Sequence, residues 1–127
     1  MKKKVLSRPK DREAWRDSYY HKLFGLKAAI EVERILSVFE KECPDDHRPR
    51  EAVKAIKAWA QGKRRLGMAE VRKLSLASHA AAREAKSRAA KLVAHAAGHA
   101  VATWHVPTHA LGAFGYAGRA FVEKNQL

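Results

Sequence analysis

The 127-residue chain holds one cysteine, Cys43. A single thiol excludes an intramolecular disulfide and any cysteine-built zinc cage, which fits a reducing compartment. No apolar run reaches the roughly 18 to 20 residues that span a bilayer, and the opening MKKKVLSRPKDREAW carries no apolar signal-peptide core. A cytoplasmic protein with no membrane partner is therefore expected. β-Branched residues are scarce: nine Val, three Ile and two Thr stand against 24 Ala. That balance disfavours strands and favours helices. Acid is short too, since 13 Asp and Glu face 26 Lys and Arg for a formal charge of +13. Beyond Glu70 the only carboxylates are Glu84 and Glu123.

Catalytic signatures are also missing. No glycine loop follows a strand pattern to cradle phosphate. Between His95 and His99 lie Ala96, Ala97 and Gly98, so the glutamate base of an HExxH metalloprotease is absent. Cys43 adjoins Pro44 with no histidine fixed beside it in sequence, and Ser75, Ser78 and Ser87 lack the strained elbow that exposes a nucleophile. These absences point to a binding protein without catalysis and without a cofactor.

What is present reads as helix. Residues 1–10 contain Lys2, Lys3, Lys4, Arg8 and Lys10 with almost nothing to bury, so a flexible basic arm is expected there. Asp11 suits the cap of a helix carrying Trp15, Tyr19 and Tyr20. Leu23, Leu26, Ile30, Val32, Ile35, Leu36 and Phe39 then continue the helical spacing, as one helix or two joined near Gly25. Cys43 precedes Pro44, which stops the helix by Glu42. Pro49 suits the first position of the next helix, with Asp45 and Asp46 at its positive end. That helix runs to about Gln61, buries Ala52, Ile56, Trp59 and Ala60, and stops at Gly62. Lys63, Arg64 and Arg65 make a basic corner before a helix opening with Met68, Val71 and Leu74. Twelve of the 26 residues from Ala77 to Ala102 are Ala, which suits the centre of a bundle where helix axes approach closely. A turn is expected at about Ser87, and Pro107 predicts a break between Thr103 and Thr108. Close packing would explain Gly112, Gly115 and Gly118 in the last helix. The expected fold is all-α: a compact single-domain bundle of five to six helices over residues 11–127 with an alanine-rich centre.

Two groups of residues carry candidate sites. His95/His99 and His105/His109 are each four apart, so each pair shares a helix face and the four rings could ligate a transition metal. The alternative is a hydrogen-bonded polar set inside the bundle. In that reading Asp45 and Asp46 reach from their turn to Arg48, Arg50, Arg83 and the imidazoles of His79, His99, His105 and His109. The cluster locks the turn to the bundle; its bland counterpart is a solvated loop with a weak surface ion pair. The second group is basic. Lys2, Lys3, Lys4, Lys63, Arg64 and Arg65 could hold nucleic acid through a salt-dependent, nonspecific field, or could simply keep the surface soluble.

Pro44-Asp45-Asp46 with Arg48-Pro49-Arg50, Trp59 ahead of Gly62, His79 with Arg83, and Gly98-His99, Thr103, His105 and His109 leading into Ala110-Leu111-Gly112-Ala113 form an ordered set. Over about residues 35–122 the chain resembles the five-like class of immunity proteins from bacterial polymorphic toxin systems. The resemblance implies a small helical cytoplasmic protein that binds and neutralises a cognate toxin without catalysis. Because this chain is basic, an acidic toxin surface is the physical expectation.

Overall fold

The computed structural model describes residues 18–125. Among them are six helices and no strand, as the composition predicts: α1 (Tyr19–Glu33), α2 (Leu36–Glu42), α3 (Arg48–Ala60), α4 (Met68–Glu84), α5 (Arg88–Ala102) and α6 (His109–Lys124). The expected basic arm at 1–10, with Lys2, Lys3 and Lys4, lies outside the described residues, as do Asp11 and Trp15.

Helix α5 is the centre, and it touches all five others. Ala90, Ala94, Ala96, Ala97 and Ala100 are wholly buried on it, and with no side chain beyond Cβ they let the neighbouring axes close in. Two hydroxyls fasten α4 to this helix: Ser78 Oγ donates to the Ala94 carbonyl at 2.7 Å and Ser75 Oγ to the Gly98 carbonyl at 3.0 Å. Val32, Leu36, Phe39, Val53 and Ile56 complete the core from α1, α2 and α3.

Helix ends follow local chemistry. Ser87 caps α5 by accepting the Ala90 N–H at 3.0 Å. Pro49 sits in the first turn of α3. At the other end of α3, Gly62 takes a φ of +75°; its N–H reaches the Trp59 carbonyl, and the Lys63 N–H reaches the Ala58 carbonyl at 2.8 Å. This paired bonding closes a helix through a left-handed glycine and turns the chain into the Lys63–Arg65 corner. The break around Pro107 separates α5 from α6, and His21 Nε2 ties it to α1 by donating to the Thr103 carbonyl at 2.6 Å.

Two local expectations are corrected. The bend in the first helical stretch falls at Arg34–Ile35, not near Gly25. Gly25 stays inside α1 because Trp59 and Ile56 cross it there; an added Cβ would lie 3.2 Å from the Trp59 ring. Tyr19 and Tyr20, although spaced for a helix face, are exposed, and they pack edge-to-face on each other. Among the described residues, Gly112 of α6 has a close neighbour in the His99 ring, and none lies within 4 Å of a Cβ at Gly115 or Gly118.

Candidate functional site

The residues expected in one polar cluster lie in two. The first sits where α2, α3 and the end of α4 meet. Asp46 accepts the Arg48 backbone N–H at 3.1 Å and takes the Arg48 guanidinium on both oxygens, at 2.9 and 2.8 Å. The same guanidinium reaches Glu84 at 2.8 Å, so one side chain joins the start of α3 to the end of α4. Arg50 forms a second two-point pair with Glu40 of α2. Glu42 accepts the backbone N–H groups of Lys86 and Ser87, at 2.7 and 3.2 Å, which anchors the start of α5. The Arg48 hydrogen bond holds the Asp46 carboxyl below its usual range, and the Arg50 hydrogen bond does the same for Glu40. Asp45 is exposed.

The second cluster is built from imidazoles. His79 of α4 and His95 of α5 face each other with their Nδ1 atoms 2.7 Å apart. His79 packs edge-on to His99, with ring centroids 5.1 Å apart. His99 in turn faces His109 of α6 with Nδ1 atoms 3.5 Å apart. Tyr116 of α6 stacks on His99 at 5.2 Å, and the Arg119 guanidinium lies over the Tyr116 ring. Two glycines make the room: a Cβ at Gly98 would stand 2.6 Å from His79 Nε2, and one at Gly112 would stand 2.9 Å from His99 Nδ1. Helix spacing alone brings His95 and His99 to one face, and the absence of two Cβ atoms lets the rings of α4 and α5 sink between helices.

Burial and neighbouring charges favour the neutral form of His79, His95 and His99. Burial, then the neighbouring imidazoles and Arg83, pushes His79 down to about 4. His95 is lowered by burial, Arg83 and Lys91, and His99 by burial, His109 and His95. A bond between two Nδ1 atoms needs one ring as donor and the other as a deprotonated acceptor. Doubly protonated rings would turn two N–H groups on each other. Among the described residues no hydrogen bond or ion pair joins His79, His95, His99 or His109 to a carboxylate.

The expected bridge from Asp45 and Asp46 to these imidazoles is therefore not formed: Arg48, two residues along, already occupies both Asp46 oxygens. Arg83 belongs with the imidazoles through its charge, not with the aspartates. The fourth ring of the cluster is His79, whereas His105 lies exposed in the break between α5 and α6. The sequence signal for His79 was the pairing of Gly98 with a ring 19 positions earlier, which no local periodicity reveals. Nor do the four rings as they stand suit a metal; among the described residues no group of three His, Cys, Asp or Glu side chains could hold one. Lys63, Arg64 and Arg65 line a separate cleft with Lys22.

The described residues form a small all-helical protein with four imidazoles packed against one another between helices. A family model described as Imm-5 like putative immunity protein matches residues 21–127, and the chain belongs to that family. Neither a curated protein nor a solved structure matches it. No described helix is long and apolar enough to cross a membrane.

Proposed function

We propose that the chain neutralises a cognate bacterial toxin in the cytoplasm by binding it directly, with no reaction of its own. Family membership across residues 21–127 carries this reading. The chemistry of the candidate groups supports it. Burial, with Glu42 and Asp46 nearby, pushes the Cys43 thiol up, which leaves it protonated and a poor nucleophile. His79 is pushed down to about 4, and burial lowers His95 and His99 as well, which weakens these rings as bases at neutral pH. Both polar clusters act as fasteners between helices that keep the outer surface in one shape. A formal charge of +13 favours association with an acidic partner surface.

The test is co-expression in bacteria with the product encoded beside this chain. That product alone should arrest growth; with this chain present, growth should resume and the two proteins should co-purify. Arrest that persists, with no co-purification, overturns the reading.

A further inference from the structure

One strongly charged region takes no part in either polar cluster. The Lys63-Arg64-Arg65 corner, turned out of α3 by Gly62, and Lys22 of α1 line a cleft of about 880 Å³. Trp59 and Trp104 form part of its wall, and Lys22 Nζ lies 5.6 Å from the Trp59 ring. Among the described residues no carboxylate lines the cleft. Arg64 is turned to Glu70, while Lys63 and Arg65 form no ion pair among the described residues. Both are exposed, and nothing in the packing of the bundle requires their charge.

We propose that this cleft docks an acidic segment of a protein partner, with carboxylates on Lys22, Lys63 and Arg65 and carbon atoms against Leu66 and Met68. The proposal rests on the reading that the chain acts by binding a protein, and it states where and through what chemistry. Charge complementarity carries it: uncompensated cations converge on one concave surface. Two observations favour a protein segment over nucleic acid. Trp59 and Trp104 are 4% and 6% exposed, so neither offers an open face on which a base could stack. The three corner cations are consecutive in one short loop, and so they do not form a track that follows a phosphate backbone over many nucleotides.

The experiment measures binding of a fluorescein-labelled decaglutamate peptide to the full chain by anisotropy at low salt. Saturable binding is expected. The double substitution Lys63→Glu with Arg65→Glu should weaken it by roughly tenfold or more, while Lys54→Glu with Lys124→Glu, an equal change in net charge, should weaken it less than about threefold. The neutral pair Lys63→Gln with Arg65→Gln should fall between wild type and the reversal, and circular dichroism should show all variants folded. Equal weakening by the two reversals, or no saturable binding, overturns the proposal. So does a single-stranded decanucleotide that binds more tightly than the peptide and depends on the same two residues. Failure here with growth protection intact removes the cleft assignment alone; failure of wild-type protection removes the toxin reading whatever the peptide does.

Discussion

The junction of α2, α3 and α4 holds its charges as opposite pairs, with Asp46 on Arg48, Glu84 on Arg48 and Glu40 on Arg50. The junction of α4, α5 and α6 instead presses four imidazoles together beside Arg83 and Lys91, with no paired carboxylate among the described residues. Both fasten helices, but by opposite means. Opposite charges on an exposed surface tolerate any pH at which both stay ionised and weaken as salt rises. Neutral imidazoles barely respond to salt and fail when they acquire protons. The second arrangement exists because the chain has almost no acid after Glu70 with which to neutralise a protonated histidine.

Four changes test the difference between the two junctions. The largest effect is expected from Gly98→Ala, which drives a methyl group into the His79 ring on the central helix and should lower stability by about 2 kcal/mol. In a His79→Ala background the same change should cost far less, and urea unfolding of the four proteins measures that coupling. A small, equal loss in both backgrounds would mean that the ring moves aside freely.

Acid is next. The folded pKa of His79 lies below its unfolded value, so the unfolded chain binds more protons between the two. The stability it contributes is complete above about pH 6.5 and is lost as pH falls toward about 4. Allowing for solvent screening at a half-buried ring, the loss is about 1–2 kcal/mol, or about 5–10 °C in melting temperature. His79→Asn should flatten that pH dependence. The ion-paired junction has the same sign but a lower window, because the folded pKa of Asp46 is depressed below the ordinary carboxylate value and its contribution fades only as pH falls beneath that.

Asp46→Asn should have a smaller effect, about 0.5–1 kcal/mol at low ionic strength, and it should shrink in 1 M salt because the pair is on the surface. An unchanged difference in high salt would show that the loss does not come from charge. The smallest change has the opposite sign. Gly115→Ala in α6 meets nothing among the described residues within 4 Å and should stabilise the helix by about 0.5–1 kcal/mol, in contrast to Gly112→Ala, which meets His99.

Much of the fold was legible from single residues, because Pro49, Gly62, Ser87 and Pro107 each act on the backbone beside them. The alanine run likewise identified the central helix. Gly25 misled, since a buried glycine under Trp59 and a glycine at a bend look alike in sequence. The candidate site was half legible. Helical spacing put His95 and His99 on one face, and the scarcity of carboxylates in the second half was plain from composition. That scarcity suggested a loan of aspartates from the turn, but Asp46 had a nearer cation in Arg48. The partnership of His79 with Gly98 depends on how α4 lies across α5, and no local pattern encodes that crossing.

His79, His95 and His99 act as neutral packing elements between helices. The most direct measurement is a titration of the individual imidazole C–H resonances by nuclear magnetic resonance in the full chain. His79 should titrate near about 4, with its loss of neutrality coinciding with loosening of α4 from α5. A His79 midpoint at or above about 6.5, in a chain that stays folded, would contradict the account.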